Sequence, residues 1–201
     1  RQASGDVVIV RWADDFVVGF QHRKDAVQFL KDLRARLGEF ALELHPEKTR
    51  LIEFGRFAAQ RRATRGLGKP ETFDFLGFTH ICARSRRGRF TVHVQTQRKK
   101  VRRSLKATSR WCQRNRHLPV ADQWRTLNAK LRGHYQYYGR PTNYRSLWQF
   151  YRGVRHIWKK WLNRRTRGKT LPWAAYAKLL NRHPLLRPFI VHAWSAPGSR
   201  T

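Results

Sequence analysis

Two of the chain's twelve acidic residues, Asp14 and Asp15, stand side by side between the apolar runs "VVIV" (7–10) and "FVVGF" (16–20). Short runs rich in β-branched residues read as strands. Two of them this close read as a hairpin over 7–12 and 16–20, with both carboxylates at its tip. Such a pair has two readings. Asp is favoured in turns, where water alone satisfies it. The chemical reading is metal binding. Two-metal phosphoryl transfer needs hard oxygen ligands, held rigidly, for Mg²⁺ ions that activate a 3′-hydroxyl and steady the leaving oxygen. A hairpin pinned by apolar strands holds carboxylates more firmly than a loop does.

Charge narrows the partner. The chain has 201 residues, with 44 Lys/Arg against 12 Asp/Glu and a formal net charge of +32. Residues 1–74 hold 14 basic and 11 acidic side chains, whereas residues 75–201 hold 30 basic ones and Asp122 alone. A field of one sign repels itself and calls for a polyanion; a merely soluble surface mixes signs. Nucleic acid is the first expectation, an anionic membrane surface the second. No apolar run approaches the roughly 18 residues of a membrane span, and no charged head followed by an apolar stretch marks a signal peptide. Cys82 and Cys112 read as reduced structural thiols of an intracellular protein, not as a disulfide framework. With Met absent and a strand beginning almost at Arg1, the chain reads as a piece of a longer protein.

The elements around the acidic pair follow from periodicity. In residues 24–40, Val27, Leu30, Leu33, Leu37 and Phe40 recur three or four apart, an amphipathic helix. "ALELHPEKTRLIEF" (41–54) reads as a short extended piece, a turn at His45–Pro46 and a further strand; the polar 55–72 reads as a loop. Residues 73–95 read as a second hairpin with Arg84–Arg89 at its tip. From about 97 the period becomes helical. Val101, Leu105, Thr108 and Cys112 form one stripe. Pro119 opens a second helix carrying Val120, Trp124, Leu127, Leu131, Tyr135 and Tyr138. Thr142 is placed to cap a third, with Tyr144, Leu147, Trp148, Tyr151, Val154, Trp158, Trp161 and Leu162 on its stripe, and Pro172 opens a fourth. The expected fold class is α+β: β-hairpins plus a helix over 1–95, then a basic helical bundle over 96–201. "GLGKP" (66–70) lacks the spacing of a phosphate loop. Cys112 and His117 lack a second zinc-like pair, and the nine His are scattered as surface or stacking residues.

Four boxes, in order, carry a resemblance. "RWADDF" (11–16) is similar to the YADD box of group II intron reverse transcriptases, the intron-encoded maturases. "LELHPEKTRLIEF" (42–54) looks like their motif with a Lys-Thr pair, here Lys48 and Thr49. "FDFLGF" (73–78) resembles the primer-grip box, and "LNAKLRGHYQYYG" (127–139) the thumb/maturase signature. The resemblance spans about 6–190 and implies the end of a reverse-transcriptase palm followed by a thumb/maturase bundle. It implies RNA-directed DNA synthesis with Mg²⁺ and deoxynucleotides, with RNA (template and intron RNA) and primer DNA as partners, in a bacterial cytoplasm and without a membrane.

Residue by residue, the resemblance makes Asp14 and Asp15 metal-binding and catalytic. It puts Lys48 on the incoming nucleotide's phosphates and Phe75, Leu76 and Gly77 in the primer grip. Trp12 replaces the usual Tyr and loses its hydroxyl. The family's remaining catalytic aspartate and its fingers lie upstream, and Asp6 is too close to the same hairpin to substitute. The chain alone is therefore expected to be inactive. Basic residues at the second hairpin's tip (Arg84, Arg86, Arg87, with Arg89 beside them) and on the helices (Arg132, Arg145, Arg152, Arg155, Lys159) are expected to contact RNA phosphates. Residues 132–145 add a Tyr/Arg mixture suited to unpaired bases. The rival expectation is a non-catalytic RNA-binding splicing cofactor whose Asp14 and Asp15 are inherited but idle. A general basic RNA chaperone is a third.

Overall fold

Trp12 pairs with Asp15 across a two-residue turn, so residues 7–20 form an antiparallel ladder from Val7↔Phe20 to Trp12↔Asp15. Its strands are β1 (Val7–Trp12) and β2 (Asp15–Phe20). The computed structural model describes residues 3–165 and 170–192. Helix α1 (Arg23–Gly38) follows at once, docked by Phe20 against Phe29 with ring centroids 5.3 Å apart. Its first turn is tied to the chain start, because the Ser4 hydroxyl and amide both donate to Asp25, which holds that carboxyl below its ordinary range. None of residues 3–57 is buried. Val27, Leu30, Leu33 and Leu37 of the expected stripe lie on this helix, only partly covered, whereas Phe40 falls beyond its end and is exposed.

Two expectations fail between 41 and 72. The turn after His45 forms, with the Lys48 and Thr49 amides donating to the His45 carbonyl. No strand follows it. Residues 49–54 have the composition of a strand, but no neighbouring strand offers them a ladder. Side chains hold them instead: Arg50 pairs with Glu71, Glu53 with Arg65, and Phe54 packs edge-on to Phe73. The stretch read as a loop contains a short helix, α2 (Ala58–Thr64), anchored by buried Ala58.

The second hairpin is a three-stranded meander, β3 (Phe73–Phe75), β4 (Phe78–Arg84) and β5 (Phe90–Thr96). Leu76 and Gly77 already reverse the chain, with φ of +47° and +79°, the signs of a type I′ turn. That turn favours Asn or Gly at its first central position, so Leu76 sits there at a steric cost.

The helices form where their stripes place them: α3 (Arg98–Arg114), α4 (Val120–Tyr138), α5 (Tyr144–Asn163) and α6 (Trp173–Arg182). Leu127, Leu131, Tyr135, Leu147, Phe150, Val154, Trp158 and Tyr176 are buried among them and make the core. α3 crosses α5 closely, because Gly153 has no Cβ to meet Leu105. The chain after α6 returns along α4: Trp124 and Asn128 donate to the Pro184 carbonyl, and the Val191 and His192 amides to Gly139. Thr142 does not cap α5. Its hydroxyl accepts from the Val94 amide and donates to the Val94 carbonyl, while buried Asn143 bonds Thr96 twice and the Tyr138 carbonyl once. These two residues staple β5 to the α4–α5 corner. The molecule is a mixed α+β fold of two small sheets and six α-helices among the described residues. No helix among them is long and apolar enough to cross a membrane.

Candidate functional site

Asp14 lies in the β1–β2 turn and Asp15 opens β2 directly opposite Trp12. Ala13 takes the left-handed conformation (φ +54°), and the Arg11 Nε donates to its carbonyl at 2.9 Å, bracing the turn. A non-glycine residue held there costs of order 1 kcal/mol, which only a strongly specified hairpin sustains. Both carboxylates are exposed. Neither takes a hydrogen bond or an ion pair from any described residue. Trp12 beside them is 67% exposed, an aromatic plane open to solvent.

Their donor chemistry suits Mg²⁺, which prefers carboxylate oxygens and commonly takes one or two protein carboxylates plus water and substrate phosphates. Among the described residues no group of three or more His, Cys, Asp or Glu comes together. The hairpin therefore offers two ligands and not a closed cage. Lys48 is exposed in its turn, and no hydrogen bond or ion pair among the described residues ties it to the hairpin.

The Phe75–Leu76–Gly77 turn is clamped from the helical side. Tyr137 donates its hydroxyl to the Leu76 carbonyl at 3.0 Å, and the amide of Gln97, at the start of α3, donates to the Gly77 carbonyl. Phe78 stacks on Tyr137 and meets Tyr138 edge-on. A Cβ at Gly77 would lie 3.1 Å from the Tyr138 hydroxyl, so glycine serves both the positive φ and the close approach. Tyr137 and Tyr138 lie in the box 127–139 singled out in the sequence, which gives no signal for what they grip.

Behind that clamp, His134 is buried and stacks on Phe150 with centroids 3.8 Å apart; Tyr138 lies 4.7 Å away. Burial pushes its imidazole down to about 4. Between that value and the ordinary 6.5, the unfolded chain binds a proton that the folded chain refuses. His134 therefore contributes stability above pH 6.5 that fades as pH falls toward 4, by about 3 kcal/mol at most. Urea midpoints at pH 4.5 and 7 are expected to show this loss, and His134→Phe to remove most of it. Half-buried His80, shifted in the same direction by desolvation, accounts for part of the remainder.

The basic side chains divide. Arg84, Arg86 and Arg87 are exposed at the β4–β5 tip, as are Arg132 on α4 and Arg145 and Arg152 on α5. Arg155 does not stand free on that flank. It is partly covered, its carbonyl accepts from the Tyr176 hydroxyl, and its Nε is buried with no hydrogen-bond partner among the described residues. Lys159 lies against the Trp173 ring. Cys82 and Cys112 are both free thiols. Burial pushes the Cys112 thiol up to about 12, which suits core packing and not metal binding.

Comparison with curated proteins returns no match to the chain. Among family models, residues 1–80 match the one described as reverse transcriptase (RNA-dependent DNA polymerase), a span that takes in the Asp14–Asp15 hairpin, Lys48 and the Phe75–Gly77 turn.

Proposed function

We propose that the chain carries the carboxylate hairpin and the nucleic-acid-holding helices of a reverse transcriptase of the group II intron maturase type. The observation that carries this reading is the unpartnered Asp14–Asp15 pair on a braced two-residue turn, inside the residues that match the reverse transcriptase family. Asp14 and Asp15 would hold Mg²⁺, which supplies charge stabilisation and lowers the proton affinity of an attacking hydroxyl. Lys48 contributes a cation for nucleotide phosphates. The Leu76–Gly77 turn presents backbone to a primer strand while Tyr137 holds it in place. The cations of 84–87, 132, 145 and 152 bind the phosphates of template and intron RNA.

Crosslinking separates this reading from that of a splicing cofactor with idle carboxylates. A photoreactive nucleotide at the 3′ end of a DNA primer, annealed to RNA, is expected to crosslink within residues 7–20 or 73–78. Crosslinks confined to α3–α6 would instead support RNA binding without a primer site.

A further inference from the structure

Where α5 ends and α6 begins, the helices leave a shallow cleft of about 330 Å³ lined by His156, Lys159, Lys160, Asn163, Arg164 and Trp173. Trp173 opens α6 and is 51% exposed, whereas Tyr176 one turn on is fully buried. Its plane is held rather than loose. Tyr176 meets it edge-on at 5.9 Å and is itself anchored to the Arg155 carbonyl, and His156 meets it edge-on at 5.3 Å. Lys159 Nζ lies 4.5 Å from the Trp173 ring centroid, while Lys160 and Arg164 sit over Trp161. Among the described residues no acid lines the cleft, and Asp122, the sole Asp or Glu beyond residue 74, is paired with Arg125 on α4. An indole braced by two ring contacts thus stands beside three cations that have no acidic partner among the described residues.

We infer that this cleft binds one unpaired nucleotide of a nucleic-acid strand, its base stacked on Trp173 and its phosphates against Lys159, Lys160 and Arg164. This deepens the nucleic-acid reading of the helices and rests on it. A duplex satisfies cations through its phosphates but keeps its base faces to itself. Only a base out of the stack gains from an exposed aromatic plane. A platform already fixed by its neighbours loses little side-chain freedom when the base arrives. Lys159 contributes twice, polarised against the ring and within reach of the cleft's anion.

The test uses the whole chain and three probes: a blunt RNA hairpin, the same hairpin with an unpaired RNA extension, and one with an unpaired DNA extension. The extensions carry 2-aminopurine at successive positions. Wild type is expected to bind an extended hairpin more tightly than the blunt one and to quench 2-aminopurine at one position. Trp173→Leu is expected to lose about tenfold in affinity for the extended probe alone, the scale of one lost base stack, together with the quenching. Trp173→Tyr, which keeps a stacking face, should retain most of both. The extension that responds identifies RNA or DNA as the source of the nucleotide. Equal binding of the extended probe by wild type and folded Trp173→Leu overturns the site. So does an absence of quenching in wild type, which needs no variant to fold. If wild type binds none of the hairpins, the nucleic-acid reading of the helices falls first and this cleft with it.

Discussion

The 201-residue chain by itself is expected to give no RNA-templated extension of a DNA primer in Mg²⁺ and deoxynucleotides. Asp14 and Asp15 supply two carboxylates, and among the described residues no third acid, Cys or His joins them to complete a ligand group. The hairpin that carries them is exposed along β1, with Val8, Ile9 and Val10 open to solvent, so nothing described covers the strand. Joining an aspartate-bearing palm segment to the N-terminus is expected to restore extension. In that joined protein Asp14→Asn should reduce the rate by roughly 10²-fold or more, the scale of losing one group that stabilises developing charge. Asn keeps the shape of the turn, so a loss without change in primer–template affinity locates the effect in the chemical step. Template-dependent product from the 201 residues alone would overturn the incomplete-site argument. An unimpaired Asn variant of the joined protein would remove Asp14 from the reaction.

Much of this was legible because its signals are local. The stripes of α3, α4 and α5 repeat at helical spacing over about three to five turns, and their limits fall within a few residues of expectation. The acidic pair stood out by adjacency and by the β-branched residues on either side. What escaped depends on partners. Residues 49–54 look like a strand, but a strand exists only where another offers hydrogen bonds, and composition does not say where that is. Leu76–Gly77 lacked the Asn-Gly signature of a tight hairpin, so the meander read as a single hairpin. Gln123 and Asn143 have polar side chains that no apolar spacing marks for the core, and His134, one of the histidines expected at the surface or in stacking, stacks on Phe150. In the fold each is buried, and Gln123 and Asn143 are bonded from several sides. Thr142 had the right type and place for a cap, yet its hydroxyl is taken up by the Val94 amide and carbonyl of β5. Nothing in its spacing marks Trp173, which is set apart by its exposure beside the cations of α5.

The charge asymmetry leads to a second large effect, in salt dependence. Arg86 and Arg87 at the β4–β5 tip and Arg145 and Arg152 on α5 are all exposed, and none of their guanidinium groups donates a hydrogen bond to, or forms an ion pair with, a described residue. Each is free to neutralise a phosphate and release its counterions. Binding of the whole chain to a structured RNA is expected to weaken linearly on a log–log plot against salt, with a slope near −0.9 for each phosphate contacted on a duplex. Arg86→Gln with Arg87→Gln, and separately Arg145→Gln with Arg152→Gln, should each flatten that slope by about 2, near one unit per lost contact. Six contacts correspond to a loss of about 10³ in affinity between 50 and 200 mM salt, so either double variant should be plain in a titration. Stability should hardly change, because exposed arginines without partners support no packing; circular dichroism and urea midpoints check this. The pairs also read different surfaces. If only the α5 pair alters the slope, the RNA runs along the helical bundle; if only the tip pair does, it lies against the sheet. Binding indifferent to salt would remove the phosphate reading of both.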